Sequence, residues 1–252
     1  MSRLKVAVLR PEDEWDESAA VLKRFGLEPV AAPAVEVTEF SPGEDVLERV
    51  SASGFIVFVS VRAVRVFFSC FGPVDELLRS AAVISVGEKT EAELEKHGVS
   101  SMKPATYSSA GIVALISGMQ SAGRSVAVFR SSEGSRTLAE GLMKLGYPVI
   151  EIPLYSVAYP SDDSRLLALI KDIVRGERYA IPFTSAMIAR NFFRCAAKAC
   201  PMNRIVEKLA NCSIWSIGPE TSSVLRGAGV SFSESPAADY EAMAGMIASL
   251  QR

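Results

Sequence analysis

Short, continuous apolar runs alternate along this chain with longer stretches in which apolar residues return every three or four positions. Residues 6–9, 55–59, 83–86, 125–129, 179–183 and 213–217 are runs of the first kind. Each predicts a strand buried on both faces, as in a parallel sheet. Residues 14–25 show the second kind, with Trp15, Ala19, Leu22 and Phe25 on one face and Gly26 placed to close the helix. Similar signals predict helices over 62–71, 90–96, 109–119, 135–145, 164–175, 186–199, 202–209, 220–227 and 238–250, and a shorter one over 42–50. Residues 30–38 and 149–157 read as extended. Pro182 is unusual inside an expected central strand, because proline has no N–H for the ladder. Strand and helix alternate throughout, which predicts an α/β fold with parallel sheets and crossover helices.

The pattern repeats. Val6, Gly26 and Pro33 have counterparts in Val126, Gly146 and Pro153, 120 residues further on. A second unit relates Phe58, Ser60 and Phe67 to Phe183, Ser185 and Phe192 at an offset of 125, and Gly87, Thr90 and Gly98 to Gly218, Thr221 and Gly229 at an offset of 131. With the first unit called a and the second b, the order is a, b, a, b. Two domains can form as ab plus ab, or as an inner ba enclosed by an outer a…b. The two proline-containing strands favour the second arrangement if they are the crossings of a two-stranded bridge. Residues 1–34 and 159–252 are then one discontinuous domain, 40–151 the other, and 35–39 and 152–158 the linker strands. The arrangement ab plus ab stays open.

Composition narrows the function. The 252 residues are 49% hydrophobic, ample for a core, and carry a net charge of −2. Nothing in that balance points to nucleic acid or an anionic membrane surface. No apolar run reaches the ~20 residues of a membrane span, and residues 1–5 lead straight into a strand without a secretory signal. Cys70, Cys195, Cys200 and Cys212 form no CxxC pair, which fits reduced thiols in the cytoplasm. No phosphate-binding glycine fingerprint or G-x-S-x-G elbow is present. His97 is the single histidine, so a Ser-His-Asp triad or a histidine metal site is hard to build. Its expected role is a solvated cation at a helix end, and Glu91, Glu93 and Glu95 read as a solvated helix face.

The candidate chemistry lies at strand ends, where open α/β sheets bind ligands. Ser60, Gly87 with Thr90, Ser132 and Gly134, Thr184 with Ser185, and Gly218 with Thr221 all stand just before or within a helix start. Such residues cap helices. Placed repeatedly in both halves, they also suit a cleft that binds an anion through helix N–H groups. Arg10 and Arg130, at equivalent strand ends, are suited to pairing with ligand carboxylates or to structural salt bridges. Tyr155, on the proposed bridge, is positioned either to donate a proton or hold a substrate oxygen, or to line a domain interface.

Residues 8–11 (Val-Leu-Arg-Pro), 86–90 (Val-Gly-Glu-Lys-Thr), Leu154-Tyr155, 183–185 (Phe-Thr-Ser) and 216–221 (Ser-Ile-Gly-Pro-Glu-Thr), followed by Leu225, Gly229 and the 236–250 segment, carry a resemblance. In order and spacing the chain resembles the uroporphyrinogen-III synthase family along nearly its whole length. The resemblance implies two Rossmann-like domains joined by a two-stranded linker, with the first strand–helix unit belonging to the C-terminal domain. It implies closure of the linear tetrapyrrole hydroxymethylbilane with inversion of ring D, loss of water and no cofactor, in a route to haem, sirohaem or another tetrapyrrole. The family's linker tyrosine falls on Tyr155, and its substrate-contacting hydroxyls fall on Ser185 and Thr221 and, through the half-repeat, on Ser60 and Thr90. Ser60-Val61-Arg62 departs from the Thr-Ser pair at 184–185. Two small domains sharing a mobile cleft suit a monomer, in transient contact with the enzyme that makes hydroxymethylbilane. The competing class is a non-enzymatic two-domain sensor that closes on a small anion.

Overall fold

A computed structural model describes residues 3–43, 45–72, 75–119, 124–237 and 239–250. The chain divides into two compact units, Met1–Glu36 with Ala158–Arg252, and Val37–Val157. Along the chain come β1 (Lys5–Val8), α1 (Trp15–Arg24), β2 (Glu28–Ala31), β3 (Glu36–Glu39), α2 (Asp45–Ser51), β4 (Phe55–Phe58), α3 (Val61–Phe71) and α4 (Asp75–Ser80). Then follow β5 (Ala82–Ser85), α5 (Glu88–Lys96), α6 (Ser109–Ser117), β6 (Val126–Ser131), α7 (Thr137–Lys144) and β7 (Val149–Ala158). The remainder is α8 (Ser164–Arg175), β8 (Ala180–Phe183), α9 (Ala186–Ala199), α10 (Met202–Leu209), β9 (Ser213–Ser216), α11 (Pro219–Gly227), β10 (Ser233–Glu234) and α12 (Tyr240–Ser249). Glu44 and Ala238, within the helices expected over 42–50 and 238–250, lie outside the described residues, as do Met1 and Ser2.

The strand orders are β10-β9-β8-β1-β2 in one unit and β3-β7-β6-β4-β5 in the other. These are versions of one sheet. The parallel register Val6–Pro29 recurs as Val126–Val149, and Ala180–Ser213 recurs as Phe55–Ala82. Even Trp215–Ser233 has its counterpart, in the isolated bridge Ile84–Met102. Each sheet therefore joins one a and one b from opposite halves of the chain, through Val6–Ala180 in one unit and Phe55–Val126 in the other. That excludes ab plus ab.

Local chemistry explains the differences from the sequence reading. The extended stretch 30–38 is two strands, β2 and β3, in different sheets. Ala32 and Ala34 still donate to the carbonyls of Val8 and Leu9, but Pro33 between them has no N–H to donate. Pro182 is tolerated because of where it faces. Tyr179 and Phe183 accept from β9-side N–H groups of Ser213 and Ile217. Alternation turns Pro182 toward β1, whose registered partner, Ala180, lies two residues earlier.

Both faces of the Val37–Val157 sheet are covered, as the unbroken apolar runs require. Ile56, Phe58, Ala127 and Phe129 pack with Val64 and Phe67 of α3 and Leu94 of α5. Phe55, Val57, Val126 and Val128 pack with Ile112 and Ile116 of α6 and Leu138 and Leu142 of α7. In the other unit, Val6, Val8, Ala180 and Trp215 meet Leu22 of α1 and Met243 and Ile247 of α12. The helix-closing glycines Gly26 and Gly146, with φ of 74° and 84°, are equivalent by the repeat and sit where a side chain would be strained.

Candidate active site

The described part of the Val37–Val157 unit gathers its polar chemistry at the carboxyl ends of β4, β6 and β7. β7 carries a bulge here. Arg130 is registered with Pro153, but the next residue, Ser131, is registered with Tyr155. A bulge sets two residues against one and re-aims a side chain. Ile152 and Leu154 face the core by alternation, and Tyr155 joins them in that core instead of turning away. The tyrosine is 8% exposed, so its ring is fixed by packing. The phenol lies 2.9 Å from the Ser60 hydroxyl. Ser60 is the N-cap of α3, accepting from the Ala63 N–H at 3.0 Å. A helix N-terminus, a hydroxyl and a phenol thus form one chain of hydrogen bonds. Above the ring, the Arg62 guanidinium carbon is 5.9 Å from its centroid, and Arg62 also pairs with Glu39 at 3.5 Å.

The turn after β6 is tied to the same strand. The Ser132 N–H donates to the Tyr155 carbonyl at 2.9 Å, and the Val157 N–H donates to Glu133 Oε2 at 2.8 Å. Ser132 also donates its hydroxyl to Glu133 at 2.5 Å. Burial works to raise the Glu133 pKa, but these donors outweigh it and hold the carboxyl below its ordinary value. Arg130 is buried, donating to Glu151 and, through Nε, to the Ser131 carbonyl at 3.0 Å. Its guanidinium packs against Gly134, where an added Cβ would come to 2.5 Å from Nη2. A cleft of about 200 Å³ opens here, lined by Arg130, Ser132, Gly134, Arg136 and Glu151 among others. Ser135, not the turn's other serine, accepts from the Thr137 N–H at the start of α7.

Thr90, at the start of α5, is buried, and Gly87 is that helix's N-cap. The Tyr107 ring lies over Gly87, 3.2 Å from where a Cβ would be, and the Tyr107 phenol donates to Glu88 at 2.8 Å. That bond, with burial adding to it, raises the Tyr107 pKa.

The Met1–Glu36 and Ala158–Arg252 unit repeats the scaffold with different chemistry. Ser185 caps α9, accepting from the Ile188 N–H at 3.1 Å as Ser60 does in α3, and Thr184 precedes it. Gly218 is the N-cap of α11 and Thr221 is buried in its first turn. Apart from its own chain neighbours, no atom of the described residues lies within 4 Å of the Cβ position at Gly218, unlike Gly87. Arg10 pairs with Glu14 at 2.5 Å, donates to Ser18 at 3.0 Å and lies over the Tyr240 ring at 5.0 Å. The repeat puts Val35 where Tyr155 stands in the other unit. The phenol therefore has no counterpart.

Some of this was outside the reach of the sequence. Arg62 and Tyr107 carried no signal beyond being a cation and an aromatic near matched strand ends. Glu93 corrects the solvated-face reading. It is buried, with Arg65 donating at 3.1 Å and Lys96 at 2.8 Å. His97 is exposed, and its ring stacks on Phe68 with centroids 3.9 Å apart. Among the described residues no cluster of potential metal ligands is present, and no helix is long and apolar enough to cross a membrane.

Fold and strand-end chemistry define an α/β protein of two repeated parallel-sheet units, each gathering hydroxyls at helix starts. Residues 16–245 match the family model described as "Uroporphyrinogen-III synthase HemD", and the chain belongs to that family of enzymes of tetrapyrrole biosynthesis. It is 28% identical over 233 residues to the uroporphyrinogen-III synthase of Chlorobaculum parvum, covering 89% of each chain. The crystal structure of a mutant uroporphyrinogen III synthase from the extremely thermophilic bacterium Thermus thermophilus has the same fold. It superposes with a TM-score of 0.68 at 19% identity, over 98% of this chain and 99% of the other. The Helicobacter pylori uroporphyrinogen-III synthetase superposes at 0.64 with 18% identity, over 99% and 100%.

Proposed function

We propose that this chain is a uroporphyrinogen-III synthase, a lyase that cyclises hydroxymethylbilane with inversion of ring D and loss of water. The observation that carries the reading is the buried Tyr155 phenol, hydrogen-bonded to the cap of α3. The phenol O–H is the acid that meets the departing ring A hydroxyl. The C–O bond breaks, the oxygen leaves as water with the tyrosine's proton, and an azafulvenium cation remains beside the phenolate. Ring D attacks through its substituted carbon to give a spiro intermediate; the bond from that carbon to the ring C methylene then breaks, and the methylene rejoins ring D at its free α carbon, which inverts the ring. The proton released when the pyrroles are restored returns to the tyrosine oxygen, so the acid is regenerated. Ser60 holds the phenol oxygen at a fixed distance through this cycle. Because its own oxygen already accepts from Ala63, Ser60 can still donate to the phenol oxygen once the proton has left. Holding the reacting ends together contributes orientation, worth up to ~7–11 kcal/mol in favourable cases.

Ser60, Thr90, Ser132, Gly134, Thr184, Ser185, Gly218, Thr221, Arg10 and Arg130 form the proposed binding set. In this reading the glycines and helix starts present N–H groups to substrate carboxylates. Residues 35–39 and 152–158 are read as linker strands, supported by the unit boundaries at 36/37 and 157/158 and by the adjacency of β3 and β7. A cytoplasmic monomer fits a diffusible substrate. The test is a coupled assay in which freshly made hydroxymethylbilane is closed with and without the protein and the oxidised products are resolved. Isomer III only in the presence of protein is the expected result. Isomer I alone, from spontaneous closure, would favour a binding protein that converts nothing.

A further inference from the structure

The two units place opposite charge at one repeated position. After β1 the sequence from Arg10 to Asp16 is Arg-Pro-Glu-Asp-Glu-Trp-Asp, and after β6 the sequence from Arg130 to Arg136 is Arg-Ser-Ser-Glu-Gly-Ser-Arg. Both begin with an arginine at the strand end. In the first, Glu14 pairs with that arginine. In the second, the equivalent residue is Gly134, and the cleft stands in that place. Two residues further on, Asp16 in one unit corresponds to Arg136 in the other.

Arg130 is paired with Glu151 and its Nε is occupied, so it serves as a fixed, buried wall. Glu133, next to the cleft, is engaged by Ser132 and Val157. Arg136 lines the cleft and is exposed, and its side chain makes no hydrogen bond or ion pair among the described residues. Two guanidinium groups and one carboxylate line the cleft, with the Glu133 carboxylate beside it, and Arg136 is the lining charge that no described side chain pairs.

We infer that this cleft is a carboxylate subsite, in which Arg136 binds one acidic side chain of the tetrapyrrole against the Arg130–Glu151 wall. The inference rests on the synthase reading and names which substrate group that unit holds. A guanidinium fork matches a carboxylate in two parallel hydrogen bonds. The other unit carries Glu14 and Asp16 at the positions of Gly134 and Arg136, so the repeat does not reproduce this subsite there.

The test measures binding directly, with turnover scored separately. Uroporphyrin III as the free acid and as its fully esterified form is titrated into the wild type, Arg136→Gln, Arg136→Glu and Arg136→Lys. The expected result is that the wild type binds the free acid and not the ester, with an affinity that falls as salt rises. Arg136→Gln should weaken binding by about tenfold, the scale of one charge-assisted contact. Arg136→Glu should weaken it further, and Arg136→Lys should retain part of it. Arg136 is exposed, and a fold check by circular dichroism accompanies each variant. Equal binding by wild type and Arg136→Glu, or equal affinity for acid and ester, would overturn the subsite. The isomer assay decides the synthase reading on its own, so either can fail while the other stands.

Discussion

Ser60 and Tyr155 were each visible in the sequence, one as a cap and one as a tyrosine on an extended strand. Their hydrogen bond was not, because it depends on a bulge that moves one side chain to the other face. The pair makes a sharp prediction. Tyr155→Phe keeps the packed ring and loses one hydrogen bond, a stability cost of about 1 kcal/mol. It should nevertheless lower kcat by about 10²–10⁴-fold, the usual contribution of a positioned acid. If Ser60 acts through the phenol, Ser60→Ala added to Tyr155→Phe should lower kcat no further, which a double-mutant cycle measures. Near-wild-type turnover by Tyr155→Phe would remove the tyrosine from the chemistry. Glu93 gives a second case. Burial works to raise its pKa from the ordinary 4.5, but the hydrogen bonds from Arg65 and Lys96 prevail and lower it. A folded-state pKa below the unfolded one means that the stability is present above pH 4.5 and is lost as pH falls through the folded value. Glu93→Gln should therefore cost about 1–2 kcal/mol in urea unfolding at pH 7, and clearly less at pH 3. Alternating glutamates read as a solvated face only because α3, which supplies Arg65, is remote in sequence.

Matched elements in the two units fold alike but meet different neighbours. Helix starts, strand runs and closing glycines were readable because they follow from local spacing and backbone conformation. What each helix start faces was not. Gly87 and Gly218 are equivalent N-caps, yet one lies under Tyr107 and the other has no described residue beyond its chain neighbours within 4 Å of its Cβ position. Gly134 similarly looks like an ordinary turn glycine, though its missing side chain is what admits the Arg130 guanidinium. Gly218→Ala should change stability by no more than ~0.5 kcal/mol. Gly134→Ala should cost about 1–3 kcal/mol, because the guanidinium must shift and loosen its pairing with Glu151. Thermal unfolding of the two variants side by side checks this. Similar losses at both would mean that the Arg130 contact is not what selects glycine at 134.

At the scale of the molecule, the a, b, a, b repeat was the most informative signal, since the offsets 120, 125 and 131 reappear in the strand registers. The sequence alone could not choose between the two ways of combining those units, because each unit carries the same pattern and pairing is long-range. The unit Val37–Val157 is continuous and holds two covered sheet faces, so expressed alone it should unfold cooperatively in urea. A non-cooperative transition would show that it depends on the rest of the chain. The other unit depends on both ends of the chain, since β1 pairs through Val6 with Ala180 of β8. This sets an order of assembly on the ribosome. The continuous unit has all its strands once Val157 has emerged, whereas β1 and β2 must wait, with an unpaired edge, until synthesis has passed β8. Such distant pairing is slow to close and leaves an edge open to other chains. The first thirty or so residues are thus the ones whose fate during synthesis depends most on how quickly the last third arrives.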